Sequence, residues 1–264
     1  MLAAREDAEL LVVHAFPRLS ALEAAFGLDD RLPNRLRAAA EANIDALAEA
    51  AQTAAAGRVR AEIAEGSAHR AVADASETFH PDLVVIGAHG RGALRGSFLA
   101  ARPRAFSSAA CPVLVARQPA EADYRRALAA VDLGPRSAAV MRAALVVASR
   151  AQVTMVHAYQ APFEAKLRHK GVPEEVILRY AEAESRTARS NIDALLADPA
   201  LARRDIERRI VHGDPNPALP TAIGELHADL IVVGKHSGSR IGEAVMGSVS
   251  RFLAYYAPCD VLVV

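Results

Sequence analysis

What this chain lacks narrows its chemistry before any motif is read. Thirty-one Lys and Arg balance thirty-one Asp and Glu over 264 residues, leaving a formal net charge of zero. No net field draws the chain toward nucleic acid or an anionic membrane, so a partner has to be recognised locally. No segment approaches the roughly 20 uninterrupted apolar residues that span a bilayer. The first ten residues carry Arg5, Glu6, Asp7 and Glu9, which is not the apolar core of a secretory signal. A soluble, cytoplasmic protein is expected. Cysteine is scarce: Cys111 and Cys259 are the two present, without the nearby paired ligands of a zinc site. They are expected to be buried structural thiols. The dinucleotide fingerprint, the Gly-Lys-Ser/Thr phosphate loop and the nucleophile elbow are also missing. With no clear general base beside the Gly-rich loop between Gly234 and Gly247, dedicated catalysis is not expected.

The chain does repeat itself. Asp82-Leu-Val-Val-Ile-Gly-Ala-His-Gly90 returns 147 residues later as Asp229-Leu-Ile-Val-Val-Gly-Lys-His-Ser237, and the same offset relates Gly66 to Gly213. Leu10 to Phe16 resembles Val153 to Tyr159, with His14 matching His157. Cys111-Pro-Val-Leu-Val matches Cys259-Asp-Val-Leu-Val, so the two thiols occupy equivalent positions and make poor disulfide partners. Small drifts in the offset are what loop insertions produce. Two domains are expected, spanning 1–118 and 123–264, and 52% hydrophobic residues suffice for two cores.

Within the second copy, β-rich runs at 127–131, 152–158, 205–211, 229–234 and 260–264 alternate with helical patterns at 137–149, 173–196, 217–227 and 247–257. Strands separated by helices require right-handed crossovers and a mainly parallel sheet covered on both faces. The fold class is α/β, with two tandem doubly wound domains. Local chemistry supports the helices: Ser137 suits an N-cap, Pro173 precedes the acidic Glu174 and Glu175, and Pro258 comes after the last helix. In the first copy, Pro33 is expected to open a helix that Gly57 closes, with Ala38, Ala39, Ile44, Leu47 and Ala51 on its apolar side.

The most informative stretch is Val232 to Ser250, which leaves a buried strand at Gly234, crosses a Gly and Ser loop and enters a helix at Gly247-Ser248. Glycines let backbone N–H groups approach an anion, and a helix N-terminus adds free donors and positive dipole. The loop lies beyond the carboxyl end of a strand, where open α/β sheets bind ligands. Its pattern, Gly234, two residues, Ser237, nine residues, Gly247, Ser248, resembles the signature of the universal stress protein family, with one glycine replaced by serine. The loop, its flanking strands and the duplication carry this resemblance over almost the whole chain.

The resemblance implies an adenine nucleotide alpha hydrolase-like fold with strand order 3-2-1-4-5, and ATP, with Mg2+ as a possible companion, in the second domain. Asp132 would stand by the adenosine, Ala158 would offer its backbone amide to adenine, and Val233, Gly234, His236, Ser237, Gly247, Ser248, Val249 and Ser250 would line the ribose and phosphate side. Asp132 can equally be read as a strand-end cap, and His157 as a core or supporting residue. The Ser237 side chain could crowd a phosphate or donate to it. The first copy keeps Gly87, His89 and Gly90 but has Ala100 and Ala101 where Gly and Ser belong, followed by Arg102-Pro103-Arg104. Met1 aligns near Ala144, so the first strand and its aspartate are missing, and this half is not expected to bind ATP. Arg91, Arg95, Arg102 and Arg104 are read as solvated arginines rather than an anion patch. Either the natural start lies upstream, or another strand fills the gap. Two functions compete: a regulatory adenine-nucleotide-binding protein of stress-response type, or a scaffold with both sites degenerate. In either, the last strands, 112–115 and 260–264, are expected to pair the repeats, as family members pair through that edge, with a homodimer a further possibility.

Overall fold

The computed structural model describes residues 2–16, 31–54, 58–88, 111–119, 122–159, 161, 163–201, 205–235 and 246–264. Among these, the residues up to Asp82 form one compact unit, and residues 83–88 with 111–264 form the other. The compact units thus divide the chain differently from its repeats.

The first unit contains α1 (Leu2–Arg5), β1 (Leu10–Phe16), α2 (Arg31–Ala54), β2 (Val59–Glu65) and α3 (Ala68–Phe79). Strands β1 and β2 run parallel from Leu10↔Val59 to Phe16↔Glu65. Helix α2 begins two residues before Pro33, which is tolerated in a first turn because its missing N–H would have no partner there. The buried stripe of α2 is centred on Ala40 and Ile44, one i,i+4 step. Of the residues expected on its apolar side, Ile44 is buried and Ala51 half-buried, whereas Ala38 and Ala39 are exposed and Leu47 is 61% exposed. Gly57 lies outside the described residues.

The second unit contains β3 (Val84–Gly87), β4 (Val113–Ala116), β5 (Arg126–Ala130), α4 (Ser137–Val147), β6 (Gln152–Tyr159), α5 (Glu164–His169), α6 (Glu174–Leu196), β7 (Ile206–His212), α7 (Pro215–Leu226), β8 (Leu230–Val233), α8 (Ser248–Tyr256) and β9 (Asp260–Val263). Its seven strands lie in the order β3-β4-β9-β8-β5-β6-β7. The five strands of the second repeat are all parallel to one another and, numbered within the repeat, read 3-2-1-4-5 from β7 to β9. Every residue of β8 and β9 is buried, as a sheet covered on both faces demands. Helix α6 starts behind Pro173 with Glu174 and Glu175 in its first turn. Ser137, however, is not the N-cap of α4: that position is Arg136, and the Ser137 hydroxyl donates instead to Asp132 Oδ1 at 3.2 Å. A carboxylate five residues back competes for the hydroxyl that would otherwise cap the helix.

The duplication is visible in the backbone. Gly66 and Gly213 adopt φ of 125° and 132°, and their N–H groups donate to the Phe16 and Tyr159 carbonyls at 2.7 and 2.8 Å. Helices α3 and α7 both end on a left-handed histidine, His80 and His227. The copies differ where the alignment predicts. In the second repeat β8 lies between β9 and β5. Its counterpart β3 has β4 as its one neighbour among the described strands, and Val85 on it is 58% exposed. Strands β1 and β3 belong to separate sheets.

The last strands of the two repeats meet in an antiparallel pair, Val113↔Val263, Leu114↔Leu262 and Val115↔Val261. Because Leu114 and Leu262 are equivalent positions, the pairing has a local two-fold through them. Asp260 anchors the segment after β4: its carboxylate accepts from the Arg117 and Gln118 N–H groups at 2.7 and 3.1 Å and from the Tyr124 hydroxyl at 2.7 Å. Burial, then that hydrogen bond, pushes the Tyr124 phenol well above its ordinary pKa. No described helix is long and apolar enough to cross a membrane.

Candidate functional site

A parallel sheet places the loops at the carboxyl ends of its strands on one edge, and at the centre of the second repeat three of these ends surround a cleft. It is lined by the end of β5 and the turn after it (Ala130, Val131, Asp132, Arg136), by Val156 and Ala158 of β6, by Val233 and Gly234 at the end of β8, and by Gly247, Val249 and Ser250 at the start of α8. Val140 of α4 and Pro215 and Leu219 of α7 complete the wall. Strand β5 lies between β6 and β8, so the cleft sits where the chain's crossovers turn to opposite sides of the sheet, the switch point at which such folds bind ligands. The enclosed volume is about 90 Å³. That is less than the roughly 300 Å³ at which pockets for whole small ligands begin.

Most residues expected from sequence meet in this cleft: Asp132, Ala158, Val233, Gly234, Gly247, Val249 and Ser250. Ser248 is exposed and does not line it. His236 and Ser237 lie outside the described residues, as do His89, Gly90, Ala100, Ala101 and the first-copy arginines from Arg91 to Arg104. Seven wall residues were not foreseen: Ala130, Val131 and Val156 on the strands, and Arg136, Val140, Pro215 and Leu219 beyond them. The Pro215 and Leu219 pair, one helical step apart, was the available signal, but nothing local says that their face of α7 reaches this cleft rather than the core.

The polar groups are closely tied. Asp132 Oδ1 accepts from the Gly134 N–H at 2.9 Å and from Ser137 Oγ, closing a turn at the end of β5. That is the strand-end cap, and Oδ2 takes no part in it. A Cβ on Gly134 would come within 3.0 Å of Asp132 Oδ1, so this turn needs glycine by contact rather than by backbone angle. Val131 N–H donates to the Val156 carbonyl at 3.0 Å, and the Val131 carbonyl lies 2.8 Å from His157 Nδ1. A carbonyl can only accept, so Nδ1 carries the proton, and His157 supports the turn from outside the cleft. Ala158 comes after the last paired rung between β5 and β6.

On the opposite side, Ser250, buried, donates to the Gly234 carbonyl at 2.5 Å. Gly247 N–H donates to the Lys235 carbonyl at 2.6 Å, and Lys235 N–H to the Val264 carbonyl at 2.7 Å. These bonds fix the start of α8 against the end of β8. They also mean that the helix N-terminal donors aimed outward come after Gly247, not from it. Lys235 Nζ donates to the Cys111 carbonyl at 2.9 Å; burial, assisted by the positive charge of Arg136, holds its ammonium below the ordinary lysine pKa. Elsewhere in the unit, buried Glu164 of α5 accepts a hydrogen bond from His212 Nε2 at 2.7 Å and from Arg168 at 3.2 Å. Burial alone would raise its pKa, but hydrogen bonds from His212 and Arg168 more than offset this and keep the carboxyl below its usual range. No group of three or more His, Cys, Asp or Glu suited to a metal ion occurs among the described residues.

The sequence profile of the Universal stress protein family matches residues 1–117 and matches again over residues 123–264. The chain belongs to the universal stress protein family. A protein of Staphylococcus haemolyticus named as a universal stress protein is 30% identical over 136 residues, which are 51% of this chain and 72% of that one. Its counterpart in Staphylococcus aureus strain USA300 is 29% identical over 155 residues, 53% of this chain and 84% of the relative. The solved universal stress protein of Archaeoglobus fulgidus superposes with a TM-score of 0.64 at 19% identity, covering 99% of this chain and 88% of its own. One from Pseudomonas aeruginosa gives 0.61 at 19% identity, covering 97% and 92%. These structures show that the fold is that of tandem universal stress proteins.

Proposed function

We propose that the second repeat binds an adenine nucleotide, ATP in the first instance, and that this binding is regulatory rather than the start of a dedicated reaction. The observation that carries the reading is the cleft itself, where an apolar wall (Val140, Val156, Leu219, Val233) faces a glycine-flanked helix start and one carboxylate at a sheet switch point. The chemistry suits a molecule with a flat apolar end and an anionic end. The apolar wall would take the base, Asp132 Oδ2 would accept from a ribose hydroxyl, and the N–H groups of Ser248 and Val249 would face phosphate. His236 and Ser237 are proposed beside the phosphates by their place in the motif. Asp132 is the sole carboxylate among the described lining residues. A magnesium ion would therefore be carried chiefly by phosphates and water, its usual manner with nucleotides.

Support for binding over pure scaffolding comes from the tight fixing of Gly234 and Ser250, which holds the cleft's rim in one geometry without filling the cleft. The test is Gly247→Val. Gly247 has a φ of −59°, which any residue accepts, so the fold should survive. Its β-branched side chain would stand in the mouth beside the helix start. Equilibrium dialysis with labelled ATP should give one site per chain in the parent and none in the folded variant. Equal affinity in both would refute the site, and no binding in the parent at millimolar ATP would favour the scaffold.

A further inference from the structure

We propose that Arg136 reads the charge of the ligand, making this a site for polyanionic nucleotides and setting their preference over the uncharged nucleoside. The inference deepens the nucleotide reading and rests on it.

Arg136 is the sole cationic side chain among the described residues that line the cleft. It stands at the N-cap of α4, exposed, in the turn that leaves β5. The turn contains an acid only four residues away, yet the two do not pair. Asp132 Oδ1 is turned into its own loop by the Gly134 N–H and the Ser137 hydroxyl, and no ion pair or side-chain hydrogen bond joins Arg136 to any described residue. Several arginines of this unit are paired, Arg168 with Glu164 and Glu174, Arg150 with Asp123, Arg208 with Asp193 and Arg209 with Glu225, and of the described arginines it is Arg136 that lines the cleft. An arginine left without a counter-charge at the rim of a ligand cleft is where a planar fork can meet a phosphate with two parallel bonds. Arg136 lines the same cleft as Gly247 and Val249 at the start of α8, so its guanidinium and the helix N-terminus border one space. Among the described lining residues, one cation and a helix N-terminus then face one carboxylate, a positive rim that an uncharged ligand does not use.

The test compares Arg136→Ala and Arg136→Gln with the parent chain by calorimetric titration, using ATP, adenosine and inorganic tripolyphosphate. Arg136 is exposed, so both variants should melt with the parent. The expected result is that ATP affinity falls at least tenfold in both variants while adenosine changes less than twofold, and that tripolyphosphate binding is lost. Parent and variants with the same ATP-to-adenosine ratio would overturn the inference while leaving the nucleotide site intact. Tripolyphosphate binding that depends on Arg136, with adenine contributing nothing, would uphold the charge reading and overturn the nucleotide. No binding of any of the three by the parent would overturn both.

Discussion

A thiol reacts as its thiolate, so burial that disfavours the anion also protects the sulfur. Cys259 is buried, and burial pushes its pKa up to about 12, whereas Cys111, its counterpart in the first repeat, is half-buried. At pH 8 the thiolate fraction of Cys259 is on the order of one in ten thousand. Iodoacetamide should then leave Cys259 unmodified in the native chain and label it only after urea unfolding, as peptide mass mapping would reveal. Labelling of native Cys259 at the rate of a free thiol would show that the packing over β9 is open. Single residues also mark the limits of reading a site from sequence. Asp132, Gly234 and Gly247 were legible because glycine and aspartate at a strand-to-helix junction carry a backbone meaning of their own. Arg136 was not, because whether it would pair with Asp132 depends on which way that carboxylate turns, and a hydrogen bond across five residues decides this. Ser250 was legible as a member of the site, but its hydroxyl is spent on the Gly234 carbonyl, a contact sixteen residues apart in sequence.

At the scale of elements, strands were easier to place than helical faces. A strand buried on both sides is an apolar run with clear ends, so β6, β7 and β9 fall within a residue or so of where sequence puts them. The face of α2 was placed only in part, right at Ile44 and wrong at Ala38 and Ala39, because its alanines give almost no contrast between inside and outside. Helix α5 escaped because six residues carry no periodicity; what holds it is Glu164 meeting His212 and Arg168. The junction between strand and helix offers a paired test of the duplication. Gly66 and Gly213 both adopt positive φ with nothing within 4 Å of where a Cβ would stand. Any penalty on Gly66→Ala or Gly213→Ala is therefore conformational, about 1–3 kcal/mol for a side chain forced into a glycine-only region. Each variant should lower the midpoint of chemical unfolding with an unchanged m-value, and by similar amounts. A neutral Gly213→Ala would mean that the turn relaxes to another shape.

On the scale of the whole molecule, the repeat was plain in the sequence, but the compact units were not. Residues 83–88 and 111–117 come from the first repeat and fold with the second, because β4 pairs with β3 of its own copy on one side and with β9 on the other. The expected pairing of the two last strands pointed to this joint, but not to where the compact units would divide. That joint also decides how the protein responds to dilution. Two chains that met through such a strand would come apart as their concentration fell, with a melting temperature that tracks it. Here both strands are on one polypeptide, and the tether supplies a local concentration on the order of millimolar, whatever the volume of the cell or the tube. Thermal melts recorded from about 1 to about 100 µM should therefore superimpose. A midpoint that climbs by several degrees over that range would mean that β9 exchanges its partner between molecules, and that the covalent link has not made the interaction private to each chain.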